Sequence, residues 1–117
     1  MSKRFTDSEK WNRPWFRKLP TKYKLLWLYI LDHCDMAGVW YVDFELASMM
    51  IGEPVEEKDA KRELSKQIFS LNCGSRWHIK DFIRFQYGEF SSESRVHKGV
   101  QKVAEAHGIK NIWGDKL

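Results

Sequence analysis

The chain has little of what specialised chemistry needs. It holds two cysteines, Cys34 and Cys73, too few for a disulfide framework. Neither belongs to a C-x-x-C pair, which argues against a zinc ribbon or finger. His33, Cys34 and Asp35 are consecutive, and neighbouring helical residues cannot all point one way. Cys73 with His78 adds no ligand spacing, so no metal and no cofactor are expected. The seven glycines stand apart from one another, so no Gly-rich phosphate loop exists. No paired carboxylates and no Ser/His/Asp set show diagnostic spacing, and the expectation is a protein that is not an enzyme. No apolar run is long enough to span a bilayer. The N-terminal stretch has no apolar core of the kind a secretory leader carries. A cytoplasmic protein with reduced thiols and no membrane contact is expected. Low-complexity segments and internal repeats are absent as well.

What is present describes a small globular unit. Of 117 residues, 43% are hydrophobic, 15% aromatic and 31% charged, enough for one domain with one core. The net charge of +4 and pI near 9.1 permit a polyanionic partner without demanding one. That charge is unevenly spread. Residues 1–24 carry eight Lys/Arg against two acids, residues 32–63 three against nine, and residues 64–117 nine against five.

The organising stretch is Lys22–Cys34, KYKLLWLYILDHC. Between Tyr23 and Leu31 only Lys24 is neither apolar nor aromatic. A helix apolar on every face is a buried helix, so Leu25, Leu28 and Ile30 are expected in the core. Thr21 is a candidate N-cap, and Pro20 stops whatever precedes it. Before it lies an arm, residues 1–20, in which Pro14 can open a short helix. Trp11, Trp15, Phe16 and Leu19 there are expected to pack on the core, with base stacking as the functional alternative.

After a turn at Asp35–Gly38, Val39–Val42 reads as a strand. Asp43 should cap a helix through about Met50, with Ala47, Met50 and Ile51 buried and Gly52 closing it. Pro54 should open a third helix reaching about Lys66. Projected at about 100° per residue, that helix has Lys58, Lys61, Arg62, Ser65 and Lys66 on one side and Ala60 and Leu64 on another. Glu56, Asp59 and Glu63 lie between. A solvated face laced by i,i+3 and i,i+4 ion pairs explains such a stripe as well as a binding surface does. Ile68–Asn72 and Trp77–Ile79 fit a hairpin with Arg76 at its tip. Lys80–Gly88 reads as a short helix. A serine among Ser91, Ser92 and Ser94 caps a last helix with Val96, Val100, Val103 and Ala104 as its apolar stripe. His97 and His107 are expected to be partly exposed on that helix. Residues 109–117 form a tail.

The expected class is mainly α with a small β-hairpin, an α+β fold. The order helix, strand, helix, helix, hairpin is that of a winged helix-turn-helix, here with an N-terminal arm and an extra C-terminal helix over residues 21–108. In such a unit the helix after the turn enters the major groove of duplex DNA. Candidate DNA-binding residues are therefore Lys58, Lys61, Arg62, Ser65 and Lys66, with Arg76 from the wing and Arg13, Arg17 and Lys18 from the arm. Arg62 and Lys61 suit guanine edges; the others suit phosphates. The same fold also serves as a protein-interaction module or a transcriptional regulator, and the sequence sets no oligomeric state.

A resemblance narrows the choice. Lys3-Arg4-Phe5, Trp11, Pro14–Leu19 and Lys22–Tyr29 resemble the start of phage-type replication initiators. These are replisome organisers with a DnaD-like N-terminal winged-helix domain. Cys34–Trp40, Val42–Ala47, Trp77–Ile79, Phe82–Gly88 and Val96–Val100 continue the likeness, which covers roughly residues 3–108. It implies binding of origin or replication-fork DNA, and helicase-loading proteins as further partners. Family members usually carry a C-terminal region for partner contacts beyond this domain.

Overall fold

The computed structural model describes residues 3–110; the expected loose tail from Asn111 lies outside them. A 3-10 turn, Ser8–Asn12, leads into α1, Pro14–Arg17. Then follow α2, Thr21–His33; β1, Val39–Tyr41; α3, Phe44–Ile51; and α4, Glu57–Leu64. The hairpin is β2, Ile68–Leu71, and β3, Arg76–Ile79, and the chain closes with α5, Phe82–Tyr87, and α6, Arg95–Ala106. The three strands form one antiparallel sheet in the order β1-β3-β2. Val39 pairs with His78, and Ile68 with Ile79. The fold is α+β. Among the described residues, no helix is long and apolar enough to cross a membrane.

Local chemistry sets the boundaries. Asp43 Oδ1 accepts from Leu46 N at 3.0 Å, starting α3, and Gly52 ends it at φ +91°. Ser94 Oγ does the same for α6, accepting from His97 N at 3.1 Å. Thr21 is not the cap of α2. Pro20 holds that place, and its carbonyl accepts from Tyr23 N and Lys24 N. Nor does Pro54 open α4, which begins three residues later. The segment before it is held extended because Ser48 Oγ both accepts from Val55 N at 2.9 Å and donates to Val55 O at 3.3 Å. Tyr23 Oη then accepts from Glu56 N at 3.3 Å.

Helix α2 buries one side rather than all of them. Tyr23, Leu26, Trp27 and Ile30 are buried, Leu28 is half-buried, and Leu25 is 43% exposed. Helix α3 packs on α2, Tyr29 meets Trp40 of β1 edge-on at 6.4 Å, and the arm adds a Trp15–Trp27 edge contact at 5.4 Å. Leu25 and Asp32, seven residues apart on one side of the helix, are both exposed. The arm's Phe16 and Leu19 reach the core, whereas Trp11 is 53% exposed. The same selective burial corrects two further expectations. Met50 at the end of α3 and Val96 at the start of α6 both face solvent, while Ala47, Val100 and Ala104 are fully buried. At the centre of the core, Trp77 meets the rings of Trp40 and Phe44, each at 5.5 Å.

The turn after α2 is where distant parts meet. Arg4 Nη2 donates to Cys34 O at 2.6 Å, and its Nη1 donates to Leu31 O at 2.8 Å. A guanidinium at the end of a helix satisfies orphan carbonyls and complements the dipole. Asp35 Oδ1 accepts from Ala37 N and Val39 N. Tyr87 Oη donates to Met36 O at 2.7 Å, and Ile79 N donates to Gly38 O at 2.9 Å. Gly38 has φ +83°, and a Cβ there would sit 2.6 Å from the Phe82 ring. Only glycine fits that position.

Three outcomes are expected. Leu26→Ala should cost about 2–5 kcal/mol in urea unfolding, and Leu25→Ala less than about 1 kcal/mol; equal losses would contradict the one-sided burial of α2. Burial pushes the Cys34 thiol up to about 12 from a usual value near 9. The folded state therefore keeps its proton where the unfolded chain releases it. This contribution to stability should hold below about pH 9 and fall between about pH 9 and 12. Thiol titration of native protein at neutral pH should find Cys73 reactive and Cys34 protected, since Cys73 is exposed.

Candidate nucleic-acid interface

Helix α4 is anchored by Ala60 and Leu64, both fully buried. At about 100° per residue, Arg62 points directly away from that seam, with Lys58 and Ser65 to one side of it and Lys66 to the other. All four are exposed, as is Lys61. Eight residues at about 1.5 Å each give about 12 Å of helix. Gln67 N donates to Leu64 O at 2.9 Å in the turn that follows, so the helix ends before Lys66 and leaves that side chain beside the entrance to β2. Ser65 Oγ faces its own helix, donating to Arg62 O at 3.4 Å.

The acids on α4 are engaged with the same stripe. Arg62 Nη1 lies 3.0 Å from Asp59 Oδ1, and Nη2 lies 3.7 Å from Glu63 Oε1. Lys58, Lys61 and Lys66 make no ion pair among the described residues. A Cβ placed on Gly74 would lie 3.7 Å from Lys61 Nζ, so this ammonium sits against the β2–β3 turn. That turn, Asn72–Ser75, is tight. Asn72, Cys73 and Gly74 have φ of +48°, +57° and +92°, and Asn72 Nδ2 donates to Ser75 Oγ at 2.9 Å. The stripe of α4 and the hairpin turn thus adjoin.

Arg76 does not sit at the hairpin tip. It is the first residue of β3, opposite Tyr41 and Leu71, and its guanidinium stacks 5.0 Å from the Tyr41 ring centre. Its Nη1 lies 3.2 Å from His107 Nδ1, and His107 Nε2 lies 2.7 Å from Asp35 Oδ2. Arginine can only donate, so Nδ1 accepts and the ring proton on Nε2 goes to Asp35. His107 is accordingly not a surface residue of α6, because its side chain is 5% exposed. This chain of contacts ties the end of α6 to the turn after α2. The expected turn, Cys73–Arg76, falls one residue later than the observed one, which lies between β2 ending at Leu71 and β3 starting at Arg76; the buried partner that fixes Arg76 lies 31 residues away.

The arm's cations divide. Arg13 Nε is 3.0 Å from Asp7 Oδ2, and this pairing holds the Asp7 carboxyl below its usual range. Arg17 and Lys18 are exposed on and after α1, with no hydrogen bond or ion pair to α4. Lys22, next along the chain, donates to Pro54 O at 3.0 Å just ahead of α4. Sequence reasoning missed Arg4, Asp35 and His107, for no local pattern marks them. The described residues hold no group of three or more His, Cys, Asp or Glu side chains placed to bind a metal ion. No protein-family profile, curated protein or solved structure matches the chain.

Arg76→Ala should therefore act on stability. Losing its contacts with His107 and Tyr41 should cost about 1–3 kcal/mol in denaturant unfolding. A variant with unchanged stability would free Arg76 from this structural role.

Proposed function

We propose that the chain is a winged-helix module that binds duplex DNA, with α4 in the major groove and the β2–β3 hairpin as the wing. The observation that carries this reading is the outward basic side of α4 lying against the hairpin turn. The element order supports it, as does the antiparallel pairing of β1 with β3, which places the hairpin beside the helix pair α3–α4. An α-helix about 10–12 Å across with its side chains suits a major groove about 12 Å wide. In this reading Lys58, Lys61 and Lys66 hold phosphates, Arg62 reads a base edge, and Arg17 and Lys18 add contacts from the arm. The biological setting rests on the resemblance: DNA replication initiation of the phage type, with helicase-loading proteins as further partners.

One observation favours a second reading, a protein-interaction module. The outer side of α3 is apolar, with Leu46, Met49 and Met50 exposed at 41%, 74% and 63%. Methionine-rich surfaces adapt to partner proteins.

Titration against duplex DNA at several salt concentrations separates the two. Binding should weaken linearly in log affinity against log salt, and each of Lys58→Ala, Lys61→Ala and Lys66→Ala should flatten the slope by about 0.9. Arg62→Ala should cost about 1–3 kcal/mol on a preferred site and reduce discrimination there. Lys98→Ala, on the exposed side of α6, should change little. A folded variant lacking Lys58, Lys61, Arg62 and Lys66 that keeps wild-type affinity and salt slope would remove α4 from the interface; no salt-sensitive binding by the wild type would favour the protein-interaction reading.

A further inference from the structure

A cleft of about 640 Å³ lies between the N-terminal arm and the body of the domain. The first described residues of the arm are held over it. Arg4 binds the end of α2, and the Phe5 backbone exchanges two hydrogen bonds with the Gln86 side chain, at 2.9 and 2.7 Å. The walls mix charged side chains with aromatic ones, Trp15, Trp27, Phe82 and Phe85 among them.

One lining residue is out of place by ordinary burial rules. Lys10 is only 6% exposed, whereas lysine is almost never buried without a partner charge. Its Nζ donates to Thr6 Oγ1 at 2.6 Å; no carboxylate lies within 4.0 Å of it among the described residues, and the Asp7 carboxyl, held by Arg13, feels its charge only from beyond that distance. The other cations of the cleft are engaged elsewhere. Arg4 serves three α2 carbonyls, Arg13 holds Asp7, and Lys80 Nζ lies 4.6 Å over the Phe69 ring. A hydroxyl answers one of the three donors of an ammonium and none of its charge. A buried charge left this way is costly unless an anion joins it. The lining as a whole carries four cationic side chains against three carboxylates, one positive charge in excess.

We infer that this cleft binds a small aromatic monocarboxylate, its head group on Lys10 and its ring among Trp15, Trp27 and Phe82. A single excess positive charge matches a monoanion, and the ring walls match a flat apolar body. The site is separate from α4 and does not depend on DNA binding.

The test is isothermal titration calorimetry of the full chain with phenylacetate and with its neutral isostere phenylacetamide. Phenylacetate should bind saturably and the amide about tenfold more weakly or worse. Lys10→Met keeps the length of the side chain without the charge and should lose at least about tenfold in phenylacetate affinity. Thr6→Val removes the internal acceptor and should bind phenylacetate at least as tightly as wild type. Absence of saturable phenylacetate binding would overturn the inference, as would equal affinities for acid and amide. So would undiminished binding by folded Lys10→Met. Should Lys10→Met fail to fold by circular dichroism, the acid-against-amide comparison and Thr6→Val decide: weaker binding by Thr6→Val overturns it.

Discussion

The structure depends on satisfying the carbonyl end of α2. A helix leaves its last four carbonyls without partners, and this end lies where the sheet, the arm and the C-terminal helices meet. The chain answers with groups drawn from its whole length. Arg4 from the arm donates to Leu31 O, Asp32 O and Cys34 O at the helix end itself, while in the turn that follows Tyr87 from α5 answers Met36 O, Ile79 from β3 answers Gly38 O, and His107 from behind α6 meets the Asp35 carboxylate. Asp35 is the pivot, because one carboxylate oxygen closes its own turn through Ala37 and Val39 while the other receives His107. Each bond is worth about 1 kcal/mol net, but a buried donor or acceptor left alone costs more than that. The turn therefore fixes where the arm and α6 sit, and with them the core residues that they contribute, Phe16 and Leu19 from the arm and Val100 and Ala104 from α6.

Gly38 makes this convergence possible. With φ +83° and no Cβ to clash with the Phe82 ring, the backbone of the turn comes close enough to α5 for Tyr87 to reach Met36 O. The sheet is tied in at the same point through Ile79. Burial of Trp77, Trp40 and Val39 follows, since β1 can pair with β3 only when the turn after α2 has this shape. The aromatic contacts among Trp40, Phe44 and Trp77 then bring the start of α3 against the sheet. Through the Ser48–Val55 bonds, that sets where α4 begins.

The elements themselves were legible in the sequence, since they rest on local signals. Asp43, Gly52 and Ser94 act through bonds two to four residues long, and the strands followed from short β-branched and aromatic runs. What local signals could not give is which apolar side chains remain exposed. Leu25, Met50 and Val96 fit their helical stripes as well as their buried neighbours do, and only the position of the covering element separates them. The same applies to the candidate site. The basic stripe of α4 was readable because it depends on helical periodicity alone. Arg76 was misplaced because its partners, Tyr41 and His107, are 35 and 31 residues distant in sequence. Arg4 and Lys10 carried no signal, because a cation in a basic arm looks like any other until the arm folds against α2.

The acids on α4 bear on whether its stripe is a binding surface or a solvated face. Arg62 lies between Asp59 and Glu63, and its side chain is 63% exposed. Ion pairs this exposed are worth about 0–1 kcal/mol each and less at higher salt. A bidentate contact from arginine to guanine contributes about 1–3 kcal/mol of discrimination. The balance lets Arg62 leave its carboxylates for a base edge, while the pairs hold its fork extended along the helix until then. The carboxylates would still repel phosphates, so DNA approaching α4 does best from the side of Lys58 and Lys61, away from Asp59 and Glu63. That is the side on which Lys61 meets the hairpin turn. In the proposed complex the helix is therefore tilted toward the wing rather than laid flat along the groove, and the acids face out of it.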